Sequence, residues 1–211
     1  SLMDYFRQEE ELELLPFSIA TRDQVKSVML FSKGGWLDLE KKTIGVTDDT
    51  ATSVRLLQVL LEKKYGVTAT FERMHAGVND YAKYDAVLLI GDEALQRNKH
   101  GLPGFELVFD LAREWYDWKK MPFVFAVWAL RRGVENGELR RRLHEAKDFG
   151  LDTLDHIIRD RKEYTEDFRK DYFGWHLHYH LGSDEKRGIA KFMELLGKHG
   201  FGPLYEPRFV S

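Results

Sequence analysis

Two uninterrupted apolar runs, Ala86 to Ile90 and Met121 to Leu130, constrain this chain more than any other feature. Both are apolar at odd and even positions alike, and the second is rich in aromatic and β-branched residues, so each reads as a strand covered on two faces. A sheet buried on both sides needs helices above and below it, which points to an α/β fold. Neither run approaches the roughly 20 apolar residues that a membrane helix requires, so a soluble protein is expected.

The remaining pattern fits that class. Val25 to Phe31 reads as a largely buried strand ended by Lys33-Gly34-Gly35, and Lys42 to Thr47 as a second short one. A helix then carries Val54, Leu57, Leu60 and Leu61 on one stripe and stops at Gly66, before a strand at Thr68 to Arg73. Past Arg131-Arg132-Gly133 the texture becomes helical and charged: one helix near Leu139 to Phe149 closed by Gly150, and one carrying Leu154, Ile157, Ile158, Tyr164 and Phe168 behind an Asp152/Asp155 capping pair. A last helix follows Ser183 and stops at Gly200. The strands Val25 to Phe31 and Phe123 to Leu130 bracket a compact segment, as two crossovers between lobes would. The expected lobes are a discontinuous outer one, residues 1–31 with 124–211, and an inserted one, residues 32–123.

Composition narrows the function classes. The 32 Lys and Arg are interspersed among 35 Asp and Glu with no basic stripe, which argues against nucleic acid as a partner. With no cysteine, neither a disulfide framework nor a thiolate metal site can form, and the cytoplasm is the expected compartment. No internal repeat is present. The sequence assigns no oligomeric state.

The strongest local signal for chemistry is Thr47-Asp48-Asp49-Thr50-Ala51-Thr52-Ser53, a hydroxyl-rich turn leading from a strand into a helix. A helix start leaves backbone N–H groups unpaired and carries positive partial charge, so it receives a carboxylate or phosphate well. The same residues could simply cap the helix, and Asp48 and Asp49 would oppose an anion if they faced inward. Ser27 places a lone hydroxyl in an apolar strand, where a neighbouring backbone group usually satisfies it. Gly91-Asp92 closes a strand at the edge where α/β sheets put ligand-facing loops, although Asp92 could instead cap the next helix. His176, His178 and His180 alternate, which invites a zinc reading, but no carboxylate at ligand spacing accompanies them and a structural role is favoured. Trp115, Trp118 and Trp128 could wall a pocket for a planar ring or pack in a core.

Taken together, Val25-Lys26-Ser27-Val28, Thr50-Ala51-Thr52-Ser53-Val54, Leu88 to Leu95 (LLIGDEAL) and Pro122 to Trp128 (PFVFAVW) resemble, in order, the signature segments of the chorismate dehydratase family of the futalosine route to menaquinone. The resemblance implies a two-lobed fold like that of type II periplasmic solute-binding proteins. It implies loss of water from chorismate to give 3-(1-carboxyvinyloxy)benzoate, with no metal or organic cofactor. Ser27 falls on the family's active-site serine, and Thr50, Thr52 and Ser53 on the segment that faces a substrate carboxylate, with Gly91 and Asp92 as further substrate-binding positions. An N-terminal Leu-Asn-x-x-Pro-type segment, whose asparagine is the family's other active-site residue, has no counterpart here, and Ser1 to Phe6 resembles a stretch from inside the outer lobe. Two other readings fit the fold: a solute-binding protein that holds a small anion without chemistry, and 1,4-dihydroxy-6-naphthoate synthase of the same pathway.

Overall fold

Both apolar runs are strands, and they lie in different sheets. The computed structural model describes residues 1–211 except 9, 48–50, 75–79, 135 and 211. In chain order its elements are α1 (Leu2–Gln8), β1 (Leu12–Thr21), β2 (Val28–Ser32), β3 (Thr43–Thr47), α2 (Ala51–Val59), β4 (Thr70–Met74), β5 (Ala86–Ile90) and α3 (Gly91–His100). There follow β6 (Leu107–Asp110), α4 (Leu111–Lys119), β7 (Phe123–Arg131), α5 (Gly137–Asp152), α6 (Leu154–Asp160), α7 (Glu166–Asp171), β8 (His178–His180) and α8 (Ser183–Lys198).

The larger sheet has the order β4-β3-β5-β2-β6, parallel through β4, β3 and β5 and antiparallel from β5 to β2 and β6. Its two central strands show why a continuous apolar run was needed. Val28 and Leu30 of β2, with Ala86 and Leu88 of β5, enter the main core, whereas Met29, Phe31, Val87 and Leu89 enter a second cluster on the opposite face. Alternate residues thus feed separate cores, as the period of two demands.

The smaller sheet, β7-β1-β8, is antiparallel. Here β7 is fully buried only at Phe123 and Val124, and Trp128 is 50% exposed, so the expected two-sided burial of this run holds at its start alone. Its partner β1 escaped the sequence reading because Pro16 interrupts it. Proline cannot donate to a ladder and normally marks an edge strand or bulge. The fold uses the second option: pairing shifts between Leu14↔Ala129 and Ser18↔Val127, so four residues of β1 span two of β7.

Three further expectations change. β2 begins at Val28, so Ser27 sits in the connection before the strand, and residues 28–31, expected in the outer lobe, hydrogen-bond within the five-stranded sheet. The helix α5 runs through Gly150 to Asp152, and α6 starts from Thr153 with no side-chain cap, so the Asp152/Asp155 box does not form. The helix expected to carry Leu154 through Phe168 is two, α6 and α7, the second capped by Thr165 through the Phe168 N–H. Gly66 stops the turn after α2 in the left-handed conformation, at φ 69°.

Candidate active site

A carboxylate that the sequence reading passed over sets the position of Ser27. Asp110, at the end of β6, caps α4 by accepting from the Ala112 and Arg113 N–H groups at 2.9 and 3.1 Å through one oxygen. Its other oxygen accepts from Val25 and Lys26 N–H at 2.9 and 2.7 Å. Burial pushes this carboxyl above its usual range against the pull of those four bonds. The clamp holds Lys26 at φ 60°, a costly conformation outside glycine, and delivers Ser27 to the head of β2. There the Ser27 carbonyl accepts from Gly91 N–H at 2.8 Å, one residue beyond the pair Val28↔Ile90. Gly91 itself is at φ 62°, where a side chain would be strained.

Ser27 and Gly91 line one cavity with Thr52 and Ser53 at the start of α2. Its volume is about 200 Å³, and apolar side chains such as Ile19, Phe125 and Leu177 complete the wall. Ser27, Thr52 and Ser53 are all buried. Thr52 Oγ1 accepts from Met3 N–H at 3.2 Å, which ties the helix start to α1. Four of the positions singled out in the sequence therefore meet. Asp92 does not join them: it lines a neighbouring cavity of about 530 Å³ that shares Gly91, Tyr172 and Leu177 with the first, and it supplies no side-chain cap to α3. Thr50, like Asp48 and Asp49, lies outside the described residues.

The cavity also contains Tyr172, which sequence reasoning missed. Its Oη is hydrogen-bonded to Ser27 Oγ at 2.8 Å, and burial raises its pKa, so the phenol stays protonated at neutral pH. The available signal was the aromatic spacing Tyr164, Phe168, Tyr172, in which the last two rings stack at 5.8 Å.

The histidines separate. His176 is buried, with Nδ1 3.1 Å from the Gln24 carbonyl and Nε2 3.1 Å from Asp171 Oδ2. Burial lowers the pKa of His178, and His180 is exposed. Among the described residues no group of three or more His, Cys, Asp or Glu side chains is placed to hold a metal ion. Of the tryptophans, Trp115 is core, donating to the Pro122 carbonyl at 3.2 Å, and Trp118 packs against it edge-on. Trp128 walls a different, apolar cavity of about 410 Å³ beneath α5 and α6.

A model of a family described as menaquinone biosynthesis matches residues 1–198. The chain belongs to this family. One relative is the chorismate dehydratase of Thermus thermophilus, 36% identical over 222 aligned positions that cover 96% of this chain and 80% of that protein. Among solved structures, protein AF1704 from Archaeoglobus fulgidus superposes with a TM-score of 0.71 at 19% identity, covering 96% of this chain and 78% of that one, and so shares the fold. A substrate-binding domain of a putative amino acid ABC transporter from Streptococcus pneumoniae aligns over 79% of this chain and 67% of its own with a TM-score of 0.35 at 18% identity. No helix among the described residues is long and apolar enough to cross a membrane.

Proposed function

We propose that this member of the menaquinone biosynthesis family is a chorismate dehydratase, a hydro-lyase that removes water from chorismate to give 3-(1-carboxyvinyloxy)benzoate. The observation that carries the reading is the convergence of Ser27, Thr52, Ser53 and Gly91 on one cavity, in a chain 36% identical to a named chorismate dehydratase. In this reading the cleft runs between an outer lobe, residues 1–27 with 123–211, and the inserted segment 28–122.

The chemistry follows from the substrate. The ring carboxylate of chorismate is conjugated through one double bond to the carbon that bears the enolpyruvyl ether, so the proton on that carbon is vinylogously acidic. Its removal breaks the C–H bond and spreads the electron pair onto the carboxylate as a dienolate. Thr52 and Ser53, with the first N–H groups of α2, supply fixed donors where that charge collects. The pair then returns to the ring as the neighbouring C–O bond breaks. Hydroxide leaves with the abstracted proton as water, and the aromatic ring makes this step strongly favourable.

Among the described lining residues there is no carboxylate and no imidazole to take the proton. The substrate's own side-chain carboxylate is the base in this scheme, oriented by a hydrogen bond from Ser27. Ser27→Ala then lowers kcat far more than it weakens substrate binding, because the hydroxyl acts on the base in the transition state. Equal losses in kcat and affinity would sink that assignment.

A further inference from the structure

We infer that Tyr172 is a positioning residue whose phenol fixes the hydroxyl of Ser27 so that the serine proton points to the ligand. The inference rests on the reading of Ser27 given above and extends it to a second side chain.

The two hydroxyl oxygens lie 2.8 Å apart, and a serine hydroxyl has a single proton: if Ser27 gives that proton to the ligand, the phenol must give its own to Ser27 Oγ. A lone serine hydroxyl rotates among staggered positions, whereas one that accepts from a fixed phenol has fewer left. Both side chains line the same cavity, so a ligand held there can take the serine proton.

The phenol is itself held on several sides. Its ring lies nearly parallel to that of Phe168, at an interplanar angle of 8°. Tyr172 opens a π-helical turn, Tyr172–His176, a rare form that is frequent at functional sites. Two neighbours lace the same turn to the connection before β2. Lys26 Nζ pairs with Asp171 Oδ2 at 2.5 Å, and His176 meets the Gln24 carbonyl at 3.1 Å while contacting the same Asp171 oxygen. Gln24, Lys26 and Ser27 are thus joined to His176, Asp171 and Tyr172. Upstream, the buried Arg169 guanidinium donates to the carbonyls of Ile158, Glu163 and Tyr164, fastening the link from which α7 and the turn emerge.

The test is a double-mutant cycle on chorismate turnover with Tyr172→Phe, Ser27→Ala and both together, read as kcat and KM separately. Removing only the phenol oxygen is expected to lower kcat about five- to tenfold, the value of one well-placed hydrogen bond, with KM changed less than about twofold. In the Ser27→Ala background the same change is expected to have no further effect, since nothing remains to be oriented. A Tyr172→Phe enzyme with wild-type kcat, or losses that simply add, overturns the inference while leaving Ser27 in place. A Ser27→Ala enzyme with wild-type kcat overturns both. A crystal structure of Tyr172→Phe gives a readout that does not depend on turnover: Ser27 Oγ should leave its position or divide between rotamers, and an unchanged single rotamer contradicts the proposal.

Discussion

Replacing Asp110 by Asn should cost about 3 kcal/mol of stability and reduce turnover in the molecules that remain folded. The carboxylate accepts four backbone N–H groups, two from the start of α4 and two from Val25 and Lys26. Asparagine is as good a helix cap as aspartate, so the single amide oxygen can keep the α4 pair. The amide NH₂ then faces the Val25 and Lys26 N–H groups, donor against donor. Two hydrogen bonds to a charged acceptor are each worth about 1.5–3 kcal/mol, and removing the buried charge returns part of that sum, which leaves about 3 kcal/mol. For a chain of this size the melting temperature should fall by roughly 6–12 °C. Urea unfolding followed by tryptophan fluorescence measures the loss, and kcat below the transition measures the effect on Ser27, which follows Lys26 in the chain. A loss under about 1 kcal/mol would refute the clamp as an energetic feature. Full stability loss with wild-type kcat would refute its role in placing the serine.

Other consequences follow from the same geometry. Gly91→Ala meets open space but must hold φ 62°, so it should cost about 1 kcal/mol in a thermal melt and lower kcat through its bond to the Ser27 carbonyl. Gly188→Ala, on α8, would place a Cβ 2.3 Å from the Pro122 carbonyl oxygen, which is also the acceptor for Trp115, and should cost about 1–3 kcal/mol by denaturant titration. The hydrogen bond from Lys26 holds the Asp171 carboxyl below its ordinary value of 3.8, so this group's contribution is present above that value and is lost as pH falls below it. An acid titration of stability should therefore be shallower below pH 3.8 in Asp171→Asn than in the unaltered protein.

What could be seen in the sequence was what local pattern encodes. The central strands β2 and β5 announced themselves because both of their faces are buried, and α2 because its apolar stripe ends at Gly66. Thr52, Ser53 and Gly91 stood out as polar or flexible residues at the ends of such elements, where a ligand can reach them, whereas Ser27 was read as a lone hydroxyl within a strand and singled out by the family resemblance. The remainder depended on partners distant in the chain. β1 was hidden by Pro16, whose missing N–H is tolerated only because of the register shift against β7. Tyr172 lies 145 residues from the serine it touches, and Asp110 lies 84 from Lys26, so neither pairing leaves a periodic trace. Asp110 did carry one local cue, an aspartate directly before a helical run, but that cue explains only half of its bonds.

The most direct test of the central claim is to mix the purified protein with chorismate and follow the loss of diene absorbance together with the product by mass spectrometry. The account predicts catalytic loss of the diene and a product lighter than chorismate by one water. Tight binding of chorismate without turnover, or no interaction with it, would contradict that prediction.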